Sequence, residues 1–275
     1  MPQYRVGLTC SNPEVLPYLS TYLQEPWCTI IEDNGGYYWR SSHFEVLATV
    51  AEVDARVDKL LPRLNGLVKL HLLNASEIAK AGVIGFIDDQ GQYHEYRRFT
   101  TSALVTYKIT EDNNLMLEIR RKWLNLVEKC LEEGEDSPIH LALSYHSKEA
   151  NWHNLYDVYE VIKQDYNHLQ GITNTRQYVL LPDDWTRDAT GRNREKDFTE
   201  SANNAYISGS MARHSLATSD KVQEVAHSSL VKVIRPSGRE ELILPMPLNR
   251  ATTFITGLLT QWLTKRRTTA TADSH

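Results

Sequence analysis

The sequence predicts an α+β protein in which an N-terminal mixed α/β sheet unit precedes a C-terminal helical bundle with an inserted β-hairpin. The first 110 residues hold short β-prone runs and helical patterns separated by turn residues. From residue 113 onward, the spacing of apolar residues changes from two to about 3.6. Charge differs as well: residues 1–138 carry 14 basic and 20 acidic side chains, whereas residues 139–275 carry 16 and 15. We therefore predict a sheet unit over 1–112, a helical bundle over 113–266 and a polar tail over 267–275.

The N-terminal part contains two hairpin patterns and one long helical pattern. Two β-prone runs flank Asp33-Asn34-Gly35-Gly36, whose residues tolerate the positive φ angles of a tight turn. Apolar residues from Val53 to Val68 recur at helical spacing. Pro62 is expected to kink or interrupt that helix, because proline has no N–H to donate. A strand is predicted at Tyr4–Thr9 and a second hairpin over Val83–Ile109.

The C-terminal part has apolar residues at helical spacing and one further hairpin. Ser137-Pro138 predicts a helix start, since serine caps a helix and proline suits its first position. The polar segment between Gly171 and Glu195 predicts a long surface connection. The inserted hairpin is expected around Arg235-Pro236-Ser237-Gly238-Arg239. The predicted helices cover 119–130, 139–147, 152–169, 195–213 and a final stretch from Met246-Pro247.

Composition and motifs exclude several classes of protein. Hydrophobic residues make up 41% of the 275 and charged residues 24%, which is globular composition and not that of a disordered chain. The net charge of −5 argues against a strongly basic nucleic-acid binder and leaves room for a local basic patch. The motifs G-x-x-x-x-G-K-[ST], G-x-G-x-x-G, H-E-x-x-H and G-x-S-x-G do not occur. We predict no P-loop, Rossmann, zincin or α/β-hydrolase chemistry and no cofactor.

Histidine and cysteine spacing predicts neither a metal site nor a disulfide framework. His140, His146 and His153 stand further apart than the i, i+3 or i, i+4 spacing that offers two imidazoles to one metal. No export signal and no apolar run of about 18 residues is present, so we expect a cytoplasmic protein without a membrane partner. The three cysteines form no CxxC pair and read as free thiols in a reducing compartment: Cys10, Cys28 and Cys130.

One polar constellation lies on the predicted helix 195–213 and just beyond it. Ser210 and His214 follow Asn203 by seven and eleven residues, which places the three within one sector of a continuous helix. His214 beside Arg213 suits phosphodiester chemistry, with the imidazole as general acid or base and the guanidinium stabilising phosphate charge. Cations are also favoured at helix C-termini for local reasons alone, so the pair has a purely structural alternative. These four residues form the predicted catalytic set.

Two other groups of residues accompany this helix. Small residues along it predict a face that another helix, such as that of a second subunit, approaches closely: Ala202, Ala205, Gly209 and Ala212. Three arginines precede it and are close enough in sequence to converge on an anion at its N-terminus: Arg187, Arg192 and Arg194. Acidic residues interrupt the arginine run, so a solvated loop is the alternative interpretation.

Residues 139–266 resemble the HEPN-type helical domains of bacterial defence and toxin proteins. The resemblance rests on the order of an aromatic-rich helix from Trp152, a helix from Phe198 to His214 and a closing helix from Pro245. It implies a homo-oligomer in nucleic-acid-linked defence or regulation, with RNA or another anionic ligand and metal-independent endoribonuclease activity. Nuclease members carry an arginine four to six residues before a histidine. Here Arg213 and His214 are neighbours, which points them about 100° apart around a helix.

The alternative function is a non-catalytic interaction or scaffold module that dimerises through its helical domain. This alternative rests on the small-residue face described above. Assembly without RNA degradation distinguishes such a module from a nuclease. A third alternative, an enzyme that modifies a sugar, nucleotide or peptide, would use the N-terminal unit, where no single residue stands out.

Overall fold

The computed structural model describes residues 3–72, 77–88, 90–96, 123, 127–128, 130–131, 134, 137–172, 181–208, 212, 221–224, 229–234 and 237–272. The chain divides into two compact units, Met1–Ser147 and Lys148–His275. An antiparallel sheet and packed helices are both present, so the predicted α+β class is confirmed. The predicted boundary between residues 112 and 113 lies outside the described residues.

The described part of the first unit contains a six-stranded antiparallel sheet with the strand order β2-β3-β4-β1-β5-β6. Its elements are β1 (Gln3–Cys10), α1 (Val15–Tyr22), β2 (Gln24–Glu25), β3 (Cys28–Asp33), β4 (Gly36–Arg40), α2 (Ser42–Glu45), α3 (Val50–His71), β5 (Ile78–Ile87) and β6 (Tyr93–Glu95). Without the short β2, α2 and β6, the order along the chain is β-α-β-β-α-β, and β1 lies between β4 and β5. This is the split βαβ arrangement.

The two central strands, β4 and β1, hold runs of consecutive buried residues, and their neighbour β3 buries alternate ones. Val6 pairs with Trp39, and Trp39 pairs with Ile30 on the next strand; all three side chains are fully buried. The predicted hairpin turn is confirmed between β3 and β4, where Asn34 and Gly35 have φ angles of 50° and 76°. A shift of one residue would move one of these three side chains to the opposite face of the sheet, so the packing of this face and the turn favour the same pairing.

Helix α3 continues through Pro62, where the sequence predicted a kink or an interruption. A proline inside a helix removes one hydrogen bond and costs about 3 kcal/mol. Thr49 and Glu52 form a capping box that fixes the N-terminus. A buried apolar stripe from Val53 to Val68 then holds the helix against the rest of the unit. Burial of this stripe offsets the loss at Pro62, because each buried aliphatic side chain contributes about 1.5–3 kcal/mol.

Helix α4 (Pro138–Ser147) belongs to the first unit, although the sequence placed it in the helical bundle. Its predicted start is confirmed, since the backbone N–H of His140 donates to the Ser137 hydroxyl over 3.1 Å. A Cβ added at Gly66 of α3 would lie 2.5 Å from the carbonyl oxygen of Leu143. The backbones of α3 and α4 therefore touch, and glycine is the residue type that permits such an approach.

The elements of the second unit are α5 (Trp152–Leu169), α6 (Asp183–Thr186), α7 (Arg194–Asn203), α8 (Ala205–Ser208), β7 (Lys221–Glu224), β8 (Val231–Ile234), β9 (Glu240–Ile243) and α9 (Leu248–Ala272). Phe198 of α7 is fully buried at the centre of this unit. Four aromatic rings from α5 and α9 lie 5.6–6.1 Å from its ring, centroid to centroid: Trp152, Tyr156, Tyr159 and Phe254. These contacts pack α5, α7 and α9 around one side chain.

The predicted single helix over 195–213 is wrong, because α7 ends at Asn203 and Asn204 has extended backbone angles. The Asn204 carbonyl then accepts hydrogen bonds from the N–H groups of Ile207 and Ser208, which starts the separate turn α8. Asparagine readily ends a helix, because its side chain competes for backbone hydrogen bonds. The helical sector that the sequence analysis gave to Asn203, Ser210 and His214 is therefore interrupted one residue after Asn203.

The inserted hairpin is confirmed as β8 and β9, whose register pairs Val231 with Ile243. A third strand, β7, pairs antiparallel with β8 and was not predicted. Its sequence, Lys-Val-Gln-Glu, has too few apolar residues to show a period of two. No helix in the described part of the chain combines the length and the apolar character needed to cross a bilayer.

Candidate functional site

Most of the predicted catalytic set lies outside the described residues. Ser210, Arg213 and His214 fall there, and the structure makes no statement about their geometry. Asn203 is the last residue of α7, and its Oδ1 is a buried acceptor without a hydrogen-bond partner among the described residues. The structure therefore places Asn203 at the end of a helix. The catalytic roles of the other three residues stay predictions from the sequence.

The small residues predicted as a dimer or packing face separate into different places. Ala202, in the last turn of α7, is fully buried, and Ala212 is 3% exposed. Ala205 begins α8, and Gly209 lies outside the described residues. Ala202 and Ala212 are thus covered by their own chain and present no methyl group to a second subunit.

Each predicted anion-binding arginine has a carboxylate partner within its own chain. Arg192 donates two hydrogen bonds of 2.7 Å to Asp197, whose side chain is 2% exposed. The ionic hydrogen bonds to this carboxylate raise the pKa of Arg192. The guanidinium of Arg194 lies 3.6 Å from a carboxylate oxygen of Asp188. Arg192 is consequently a structural residue, whereas Arg194 has a looser pairing.

Arg187 is paired on the surface and stays accessible. Its Nε lies 2.9 Å from an Asp183 carboxylate oxygen, and both side chains are exposed, at 45% and 70%. Its guanidinium also donates to the Gly191 carbonyl over 2.9 Å. Exposed pairs of this kind contribute about 0–1 kcal/mol. An incoming anion can therefore replace Asp183 as the partner of Arg187 at a small cost in free energy.

The residues around Arg187 and Arg194 form one wall of a groove whose other wall is α9. We name it the arginine groove; its volume is about 360 Å³, and its lining includes Trp185, Arg187, Arg194, Arg250, Phe254 and Gly257. Arg250 is exposed, and its guanidinium has no hydrogen-bond or ionic partner among the described residues. The sequence predicted two of these arginines, Arg187 and Arg194. It did not predict Arg250, because Arg250 lies 56 residues beyond Arg194 along the chain.

Three guanidinium groups line the arginine groove, but Arg187 is paired with Asp183 and Arg194 with Asp188, so its excess positive charge comes from Arg250. Asp188 is the carboxylic acid that lines it. Hydrogen bonds from the Thr190 hydroxyl and from the backbone N–H groups of Thr190 and Arg192 lower the pKa of Asp188, as does the charge of Arg194. Asp188 therefore stays ionised and holds the loop; it is not a proton donor near neutral pH.

A second groove adjoins the first at Trp185 and Gln261, which line both. We name it the lysine groove; its volume is about 530 Å³, and its lining is completed by Pro182, Asp184, Thr260, Thr264 and Lys265. The Lys265 ammonium lies over the Trp185 ring, 5.6 Å from its centroid, and 5.5 Å from that of Tyr166. Trp185 is thus half-buried between the two grooves, and in the lysine groove the charge of Lys265 is balanced by that of Asp184.

Comparison with protein-family models, with curated proteins and with solved structures gives no match to this chain. The groove chemistry therefore stands on its own residues. The described residues also contain no group of three His, Cys, Asp or Glu side chains placed to hold a metal ion.

A buried polar cluster supports the N-terminal end of α7. The Tyr159 hydroxyl donates to Glu195 Oε1 over 2.7 Å, and the Lys163 ammonium donates to the Tyr159 oxygen over 2.8 Å. Burial, together with the Glu195 charge, raises the pKa of Tyr159 far above its usual range. The phenol therefore stays protonated and acts as a donor. The cluster fixes the angle between α5 and α7, and Arg194 stands at the first position of α7 beside it.

The first unit has its own buried polar contact between helices α3 and α4. Arg63 Nε donates to His140 Nδ1 over 2.7 Å, and Lys69 Nζ donates to the backbone carbonyl of His146 over 3.0 Å. The imidazole of His146 is buried, and neither ring nitrogen has a hydrogen-bond partner among the described residues. Burial, reinforced by the nearby charge of Lys69, lowers the pKa of His146 to about 4. His146 is therefore a neutral core residue.

We expect His146 to make stability depend on pH. Its pKa is about 4 in the folded chain against an ordinary 6.5, so the unfolded chain binds the extra proton between these values. Stability from this group is complete above pH 6.5 and declines as pH falls toward 4, by about 2 kcal/mol between pH 7.5 and pH 5. Urea unfolding of His146→Gln should lose that part of the dependence. The exposed His153→Gln is the control, and an equal slope in all three proteins would contradict the assignment.

Proposed function

We propose that the second unit binds RNA in the arginine groove, in keeping with the resemblance of residues 139–266 to HEPN-type domains. The observation that carries the proposal is the convergence of Arg187, Arg194 and Arg250 beside Trp185. Guanidinium groups match phosphate oxygens with paired donors, and a tryptophan ring offers a face to a base. With Asp183 and Asp188 paired to two of the three guanidinium groups, the groove keeps an excess of one positive charge, which attracts an anion although the whole chain carries −5.

The groove supports binding more directly than catalysis. Its lining contains no histidine, and its one carboxylate is held by the loop, so no lining side chain is set up to move a proton near neutral pH. Cleavage of bound RNA by Arg213 and His214 remains a prediction from the sequence. A role in defence or regulation, and assembly into a homodimer, remain predictions of the same kind.

Replacing Arg250 with glutamate is the most direct test. The Arg250 guanidinium has no partner among the described residues, so the change leaves no carboxylate without its cation. We expect Arg250→Glu to weaken binding of a fluorescein-labelled, unstructured RNA of about 12 nucleotides by about tenfold or more, measured by anisotropy in 50 mM salt. The wild-type affinity should fall with salt at a log–log slope of about −2, as two or three phosphate contacts require.

Arg239→Glu is the control with the same charge change, because Arg239 is 74% exposed, pairs with Glu241 over 3.0 Å and does not line the groove. We expect this variant to bind RNA within about twofold of wild type. Arg250→Glu should unfold at the wild-type temperature, whereas Arg239→Glu should unfold slightly lower, because it places a second carboxylate beside Glu241. No RNA binding by the wild-type chain at 50 mM salt, or equal weakening by the two substitutions, would refute the proposal.

A further inference from the structure

The two grooves follow one another along the same face of α9. Arg250, Phe254 and Gly257 line the arginine groove, Gln261 lines both grooves, and Lys265 lines the lysine groove. These positions recur at helical spacing, so they form a single stripe. At 1.5 Å per residue, the axis rises about 22 Å from Arg250 to Lys265. The stripe is therefore long enough for several nucleotides and carries a positive group at each end.

Trp185 stands at the middle of this stripe. Its ring packs edge to face against Tyr166, with 5.4 Å between centroids and 62° between ring planes. The α6 turn that carries it is closed by hydrogen bonds from the N–H groups of Trp185 and Thr186 to the Pro182 carbonyl. The indole is thus held by its neighbours before any ligand arrives, and it remains partly accessible from both grooves.

We propose that Trp185 is a base-stacking site that makes the grooves specific for unpaired RNA. This inference rests on the proposed function, since it names the form of RNA that the same site accepts. In an unpaired strand, one base stacks on the indole while phosphates on either side reach Arg250 and Lys265. A double-stranded helix keeps its bases stacked in its interior and offers no free base face to an indole between two grooves.

The arrangement also explains why the grooves need both apolar and charged groups. Base–aromatic stacking tolerates every base, because each has a π face, so the site selects an unpaired strand and not a sequence. The Lys265 ammonium, placed over the same indole, brings charge to the point where the backbone would leave the stacked base. The two volumes, about 360 and 530 Å³, fall within the range of small-ligand sites.

The experiment compares three forms of one 12-nucleotide RNA: the single strand, its perfect duplex, and a single strand with abasic ribose at its central positions. Wild-type chain should bind the intact strand about tenfold more tightly than either the duplex or the abasic strand. Trp185→Leu should lose most of this preference while it retains the weak binding to the abasic strand. Trp185→Phe, which keeps an aromatic face, should restore part of the preference.

The abasic strand separates stacking from a general effect on folding. A Trp185 variant that only disturbed the groove would weaken all three forms equally, and that result would overturn the stacking site. Equal wild-type affinity for duplex and single strand would overturn it as well, while a tenfold loss in Arg250→Glu would leave the proposed function intact. If Arg250→Glu binds every form as well as wild type, the proposed function fails, and the stacking site, which rests on it, fails with it.

Discussion

Replacing Asp197 with alanine should lower the free energy of unfolding by about 2–4 kcal/mol, because it removes a buried carboxylate that accepts three hydrogen bonds. Asp197 accepts two hydrogen bonds from Arg192 at 2.7 Å, and its Oδ1 also accepts the backbone N–H of Leu244 at 3.0 Å. The carboxylate therefore joins α7, the loop before it and the chain after β9. Alanine leaves the part-exposed Arg192 guanidinium and the Leu244 backbone N–H without their acceptor. Urea unfolding at pH 7 measures the loss.

Asp183→Ala is the matched control, because it removes the carboxylate of an exposed Arg–Asp pair four residues apart. We expect a change within about 0.5 kcal/mol for this variant. Asp197→Asn should lie between the two, since the amide oxygen can still accept from Leu244 but carries no charge for Arg192. Equal stability of Asp197→Ala and Asp183→Ala would show that the buried pair does not hold the loop.

Gly66→Ala should destabilise the first unit by about 1–3 kcal/mol, although alanine is the better helix former. The added Cβ would lie 2.5 Å from the Leu143 carbonyl oxygen and 3.0 Å from the Leu143 Cβ. The obstacle includes backbone, so no side-chain rotation relieves it, and α3 and α4 must move apart. That movement stretches the Arg63–His140 hydrogen bond, which joins the same two helices. Thermal unfolding of the full chain measures the effect.

Gly257→Ala is the control, because it makes the same substitution at a helix position without a close neighbour. Gly257 lies within α9, and a Cβ added there meets no atom within 4 Å. We expect alanine to stabilise the chain by about 0.5–1 kcal/mol, because it restricts the unfolded chain and favours the helix. If Gly66→Ala lowers the stability and Gly257→Ala raises it, the Gly66 effect comes from the contact between α3 and α4. A gain in stability for both would contradict the close approach of α3 and α4.

Local chemistry explains the parts of the fold that the sequence predicted. Asn34-Gly35 requires positive φ angles and marks its hairpin without help from the rest of the chain. Ser137 caps α4 through its own hydroxyl. The stripe that starts at Trp152 repeats long enough to indicate α5 over its observed length. Each of these signals lies within a few residues of the structure that it specifies.

The sequence failed where a structure depends on partners that are distant along the chain. Near the end of α7, the Ser201 hydroxyl accepts the backbone N–H of Met246, a contact over 45 residues that no local pattern indicates. The run of arginines suggested one anion site, yet Asp197 holds Arg192 while Arg250 joins the other two from α9. Charge spacing alone cannot reveal such a rearrangement, since it does not say which carboxylate each guanidinium will meet.

The sequence by itself determined the α+β class, the first hairpin, the α4 start and the long helix α5, because turn chemistry, capping and periodicity act over short distances. Only the tertiary structure decided that α4 packs on α3, because that choice depends on the missing side chain at Gly66 meeting the Leu143 backbone. Tertiary structure also decided which arginines face a groove. Ionic pairing and burial are settled by three-dimensional neighbours, and those neighbours come from helices far apart in the chain.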